Sequence, residues 1–218
     1  MAKPPWTLTG NGYIFVFNFP RRFVEEHGFI PPHLKGCYRG GLGAVMLVDY
    51  LTTPVGPYRE ALFVPGLFDY ARHRHYSITK IFVSTIESVL DGQDNWGIPK
   101  ELARFNLTPV SDTIERFTMS QDQRVLLDVT LRTRGPQIPV NTRWSPVKPQ
   151  LIQHFAGRDL ITQPTGKGWV GLAQIEDVCV DQIGFPDFSD QRPLAAFYAR
   201  NFTLEFPLPR ILQNGSRP

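Results

Sequence analysis

Proline and glycine punctuate this chain so closely that they leave room for short strands and for little long helix. There are 20 Pro and 18 Gly among 218 residues, together with 16 Phe. Tyr13 to Phe19 reads Tyr-Ile-Phe-Val-Phe-Asn-Phe, an aromatic and β-branched run closed by Pro20, and predicts a strand. Ala44 to Leu51, Tyr58 to Val64, Ile78 to Ile86, Trp169 to Asp181 and Phe202 to Phe206 predict further strands. Ile114 to Met119 and Arg124 to Leu131 alternate around Ser120-Gln121-Asp122-Gln123, the pattern of a hairpin.

Helical windows are few. Arg21 to His27 fits a short helix closed by Gly28, and Leu194 to Arg200 a helical turn. Asp91-Gly92 marks a turn within Val89 to Asn95, and Tyr70 to His75 reads as a loop. Arg132 to Pro149 carries four prolines and reads as an ordered excursion, while Leu151 to Thr162 fits either helix or strand. No repeat and no linker interrupts the series. The expectation is one mainly β domain over residues 1–212, its sheet closed or partly closed, with a disordered tail at 213–218. Such a barrel can hold a small ligand inside.

Hydrophobic residues at 42% and charged residues at 20% belong to a globular chain. The net charge of +3 is not gathered in a block and makes no case for nucleic acid or membrane. Cys37 and Cys179 form no disulfide framework and are expected as reduced thiols. The first residues, Met-Ala-Lys-Pro-Pro-Trp, lack the apolar core of a secretory signal, and no run reaches the ~18–20 apolar residues of a membrane span. The expected address is the cytoplasm.

Most cofactor and nucleophile motifs fail on context. Gly40-Gly41-Leu42-Gly43 precedes a strand, not a helix, so it is no phosphate loop. His73-Arg74-His75 offers two imidazoles and no third metal ligand at useful spacing. There is no Gly-x-Ser-x-Gly elbow. These patterns make no case for a nucleotide-phosphate loop or a metal site. What remains is Lys100, in Trp96-Gly97-Ile98-Pro99-Lys100-Glu101-Leu102-Ala103-Arg104-Phe105. A free lysine titrates near ~10.4, and desolvation lowers that by up to ~3–5 units. Trp96, Ile98, Leu102 and Phe105 supply apolar neighbours for such an effect. Two readings stand: an amine that condenses with a ketone, or a surface lysine opening a short helix with Pro99 in its first turn. On the strand at 58–64, Tyr58, Glu60 and Leu62 share one face. If that face is inward, Glu60 must be paired or hydrogen-bonded.

The Gly-Pro-Tyr-Arg-Glu stretch (56–60) and the Trp-Gly-Ile-Pro-Lys-Glu-Leu-Ala stretch (96–103) together resemble the acetoacetate decarboxylase family. The early Pro-Pro-Trp, followed by Tyr13 and an aromatic strand, is similar to that family's opening. In the family a carboxylate lies in a Gly-x-Tyr-x-Glu-type stretch and a Schiff-base lysine follows a proline further on. Glu60 and Lys100 match those positions at similar separation. The resemblance implies a cone-shaped, mostly antiparallel β-barrel with a few short helices, assembled into homo-oligomers. It implies a lyase whose lysine forms an imine with a small keto acid, for decarboxylation or for aldol or dehydration chemistry, with no cofactor. Tyr58, Arg59, Trp96 and Asn11 are the substrate-binding candidates it suggests.

Two positions depart from the pattern of decarboxylating members. Their second lysine is replaced by Glu101, which on a strand points away from Lys100 and toward Arg104. Their arginine before the first strand corresponds to the neutral Asn11, leaving Arg59, Arg72 or Arg74 as substitutes. The alternative the sequence allows is a non-catalytic barrel that binds a small apolar metabolite.

Overall fold

A computed structural model describes residues 1–145 and 148–212; the tail expected at 213–218 lies outside them. The first strand, β1 (Trp6–Phe17), is followed by α1 (Arg21–His27), β2 (Tyr38–Gly40), β3 (Gly43–Thr52) and β4 (Tyr58–Val64). Next come β5 (Leu67–Tyr70), β6 (His73–Tyr76), β7 (Lys80–Val83), α2 (Ile86–Trp96) and β8 (Lys100–Leu102). The second half holds β9 (Arg104–Ser111), β10 (Ile114–Gln121), β11 (Arg124–Asn141), β12 (Leu151–Phe155), β13 (Arg158–Thr162), β14 (Thr165–Val180), β15 (Ala195–Phe206) and β16 (Arg210–Leu212).

Ten strands make one curled sheet in the order β8-β7-β4-β3-β1-β15-β14-β11-β10-β9. A second sheet of six strands runs β16-β13-β12-β6-β5-β2. Pairing is antiparallel except for β7 with β8 and β12 with β6. The fold is thus mostly β and mostly antiparallel, a half-barrel whose outer strands β8 and β9 are not paired to each other.

A cluster of phenylalanines occupies one face of the large sheet. Phe15, Phe17, Phe63, Phe82 and Phe117 are fully buried there with Leu47, Leu127 and Leu131, and Phe185 and Phe188 pack in from the segment before β15. Each buried aromatic contributes about 1.5–3 kcal/mol by leaving water. The opposite face of β3, β4 and β7 builds a second core of Val48, Tyr50, Tyr58, Leu62, Ile81 and Val83, closed by Val89 and Trp96 of α2. From Glu60 to Val64, β4 is buried on both faces and shows no alternation of exposure, while β3 largely alternates between buried and half-buried positions.

Several segments depart from the sequence reading. Val89 to Asn95 is not a turn but the middle of α2, and the strand expected to reach Ile86 stops at Val83. Gly97, at φ 68°, is the left-handed cap that ends α2; its N–H bonds the Gln93 carbonyl at 2.8 Å, and the next N–H, of Ile98, bonds that of Gly92 at 3.3 Å. Gly97 and Pro99 therefore stop a helix, and Pro99 does not start one. Tyr70 to His75 forms most of the β5–β6 hairpin. Residues 194–200 extend into β15, because pairing with β1 and β14 overrides a weak helical pattern. The proline-bearing excursion is partly the continuation of β11, which buckles between Arg134 and Ile138 and then resumes against β14. Residues 151–162 are the β12–β13 hairpin.

Candidate active site

Sheet register assembles the site. Tyr58 lies opposite Tyr50, Glu60 opposite both Val48 and Val83, and Leu62 opposite Ile81. Ile81 in turn aligns with Lys100 on the parallel neighbour β8. Directly paired residues share a face, so Tyr50, Tyr58, Glu60 and Lys100 all lie on the side covered by α2. Lys100 sits two strands from Glu60, and its long side chain spans the gap diagonally.

Both groups are withdrawn from water: Lys100 is 5% exposed and Glu60 4%. Lys100 Nζ lies 3.1 Å from Glu60 Oε2. It donates to Ser88 Oγ at 3.0 Å and to the Tyr58 hydroxyl at 3.3 Å, and it stands 4.9 Å from the Tyr58 ring centroid. Tyr50 donates its hydroxyl to Glu60 Oε1 at 3.4 Å, and its ring packs 4.8 Å from that of Tyr58. The lysine's own carbonyl accepts from Gln93 Nε2 at 2.9 Å, tying β8 to α2.

Ser88 and Gly92 come from the same face of α2, four residues apart. Ser88 supplies a hydroxyl, and Gly92 supplies space. A Cβ at Gly92 would stand 2.6 Å from Lys100 Cδ and 2.9 Å from Cε. Neither residue is conspicuous in sequence. Their spacing carries meaning only on a helix, and Asp91-Gly92 reads locally as a turn.

Burial alone does not set the charge of Lys100. Desolvation pulls the ammonium's pKa down, but the Glu60 charge, the Tyr58 oxygen and the hydrogen bonds from both outweigh it, so the pKa is raised. This corrects the expectation of an amine neutralised by apolar walls. Burial raises the pKa of Tyr58 and holds that of Tyr50 well above the ordinary phenol value, so both phenols stay neutral, Tyr58 accepting from Lys100 and Tyr50 donating to Glu60. In the resting site the cluster is an ammonium–carboxylate pair ringed by three hydroxyls.

The other candidates lie elsewhere. Asn11, Asp49 and Arg59 form one row across β1, β3 and β4 on the opposite face of the sheet. Arg59 Nε is held by Asp49 Oδ1 at 2.9 Å, and Asn11 Oδ1 accepts from the backbone N–H of Asn201 at 3.0 Å. Trp96 is buried in packing, edge-on to Trp6 and Phe206, with Nε1 donating to the Pro207 carbonyl at 2.7 Å. Arg74 pairs with Asp69 at 3.5 Å, and Arg72 lies in the exposed β5–β6 turn. Glu101 does face outward, but its partner is Lys80 at 2.6 Å, not Arg104. A groove of about 380 Å³ opens where β11 buckles, lined by Thr133, Arg134, Gln137, Gly171, Tyr198 and Arg200 among others; Lys100 does not line it.

The sequence profile described as Acetoacetate decarboxylase (ADC) matches residues 9–162, well over half the chain and including Glu60, Ser88 and Lys100. The chain belongs to the acetoacetate decarboxylase family. Solved structures share its fold at low identity. The acetoacetate decarboxylase of Legionella pneumophila is 11% identical, with a TM-score of 0.69 over 97% of this chain and 88% of that one. MppR, an enduracididine biosynthesis enzyme whose structure with pyruvate is known, is 16% identical, with a TM-score of 0.63 over 98% and 92%. An acetoacetate decarboxylase-like enzyme from Sphingomonas wittichii RW1 is 12% identical, at 0.64 over 98% and 94%. No curated protein matches the chain in sequence.

Proposed function

We propose that this chain is a lyase that works through an imine between Lys100 and a small carbonyl compound. The observation that carries the reading is the burial of Lys100 Nζ 3.1 Å from Glu60 Oε2. A buried ammonium is no nucleophile, but its proton has a receiver in contact. Transfer to Glu60 frees the amine, which adds to the carbonyl carbon to give a carbinolamine. Glu60 returns the proton to the departing hydroxyl, water leaves, and an iminium remains. The iminium carries the same single positive charge as the ammonium it replaces, so Glu60 stays matched throughout. The iminium then accepts the electron pair of a neighbouring bond. That bond is the one to a carboxylate in decarboxylation, or a C–C or C–H bond in aldol and dehydration chemistry.

Family membership supports the reading. So does the fold shared with MppR, whose solved complexes include pyruvate and the condensation product of pyruvate and imidazole 4-carboxaldehyde. The keto acid expected from the resemblance is one member of the carbonyl class this mechanism serves. The proposal includes a homo-oligomer, for which the exposed Ile138, Trp144, Trp169 and Leu172 offer apolar surface.

Borohydride reduction in the presence of a carbonyl panel tests the proposal. A reduced adduct on the Lys100 peptide is expected, and none in Lys100→Met. A panel that leaves no mass on Lys100 sinks it. The raised pKa of Lys100 favours one second reading, a barrel that binds an apolar metabolite without covalent chemistry. Saturable ketone binding without any adduct would select that reading.

A further inference from the structure

The charge balance around Lys100 narrows the substrate class, an inference that rests on the imine reading above. The pair of Lys100 and Glu60 is neutral as a unit before any ligand enters, and the other polar groups at its atoms are the hydroxyls of Tyr58, Ser88 and Tyr50. The iminium keeps that balance. A substrate carboxylate would add a second negative charge to a site walled by Val48, Leu62, Ile81 and Val83. Burying a carboxylate without a cation is strongly unfavourable.

The arginines that the sequence offers for a substrate carboxylate, and the lysine on β7, are engaged elsewhere or point outward. Arg59 is held by Asp49 on the other face of the sheet, Lys80 reaches out to Glu101, and Arg74 pairs with Asp69. The charges that act on Lys100, Tyr58 and Tyr50 are those of the cluster's own members. Hydroxyls and apolar walls suit a ligand that carries hydroxyl and carbonyl oxygens and no charge.

We propose that the substrate is an uncharged β-hydroxy ketone, or the ketone and aldehyde that form it, and not a keto acid. With no carboxylate to lose, the bond feeding the iminium is the one between the α and β carbons. Glu60 takes the proton of the β-hydroxyl, the Cα–Cβ bond breaks, and its electron pair moves into the iminium to leave an enamine. The aldehyde departs. Glu60 returns the proton to the enamine carbon, and water hydrolyses the regenerated iminium to release the ketone and Lys100. No external oxidant or reductant is needed.

The test compares reductive trapping rates on Lys100 of the full wild-type chain. The probes are 2-butanone and hydroxyacetone against acetoacetate and pyruvate, at equal concentrations, read by peptide mass. Each rate is normalised to that of the same probe with free Nα-acetyl-lysine, which removes intrinsic carbonyl reactivity. The uncharged probes are expected to label Lys100 at least tenfold faster. A normalised ratio below ten, with Lys100 still labelled, overturns the uncharged substrate and leaves the imine reading standing. No label from either set overturns both.

Discussion

The stem of Lys100 runs across Gly92 of α2 so closely that a methyl group at position 92 would meet Cδ at 2.6 Å. A glycine inside a helix costs about 0.8–1 kcal/mol relative to alanine. Here that cost secures a channel for the aliphatic chain, so that Nζ lies between Ser88 on the helix and Glu60 on the sheet.

Gly92→Ala separates the two effects. The helix gains propensity, so secondary structure by circular dichroism should be unchanged. Lys100 must swing off its line to relieve contact with an atom anchored to the helix backbone. Trapping of carbonyl probes on Lys100 should fall at least tenfold. A variant with a higher Tm and undiminished trapping would show that the lysine stem yields freely and that position 92 does not aim it.

Ser88 and Tyr58 each offer the ammonium a hydroxyl, and Ser88→Ala and Tyr58→Phe remove one each with little change of shape, the latter keeping the ring contact. A buried hydrogen bond to a charged group contributes about 1.5–3 kcal/mol. At this chain length that corresponds to a fall in Tm of about 3–12 °C for either variant. Both should still be labelled at Lys100, more slowly. Tm values at the wild-type level in both variants would mean that water replaces these hydroxyls at no cost.

How much of this was legible before the structure follows from the range of each signal. Strands bounded by proline could be read locally, and Glu60 and Lys100 stood in stretches with a family pattern. Ser88 and Gly92 could not be read, because their relation to Lys100 passes through a helix whose Asp91-Gly92 pair mimics a turn. Asn11 and Arg59 were misleading for the opposite reason. Arg59 adjoins Glu60 in sequence, and adjacency on a strand puts two side chains on opposite faces. The charge of Lys100 is not legible locally, because its apolar neighbours show in the sequence while contact with Glu60 depends on the alignment of β4, β7 and β8.

Glu101→Lys tests that same alternation. The substitution restores the two-lysine sequence of decarboxylating members, yet position 101 faces out beside Lys80. The new ammonium should leave Lys100 trapping unchanged within about twofold. Loss of the half-exposed ion pair should cost no more than about 1 kcal/mol. A large fall in the Lys100 pKa in this variant, followed by ¹³C NMR of labelled lysine, would mean that position 101 reaches the buried site.

Glu60→Gln isolates the opposing influences on Lys100. Burial pulls its pKa down and Glu60, chiefly, pushes it up, with a net rise in the wild type. A raised lysine stabilises the fold fully below the ordinary lysine pKa, near ~10.4, and that contribution fades as pH climbs through the higher folded value. In Glu60→Gln the carboxylate charge is gone while burial remains, so the folded pKa should drop below ~10.4. The unfolded chain then binds more protons than the folded one in the interval between the two values, and stability should increase with pH there. Wild type should show no such increase. Urea midpoints collected from pH 7 to 11 resolve the two slopes, and NMR titration of Lys100 locates the pKa directly. A Glu60→Gln lysine that titrates at or above the ordinary value would mean that burial is too weak to matter and that another group holds the ammonium.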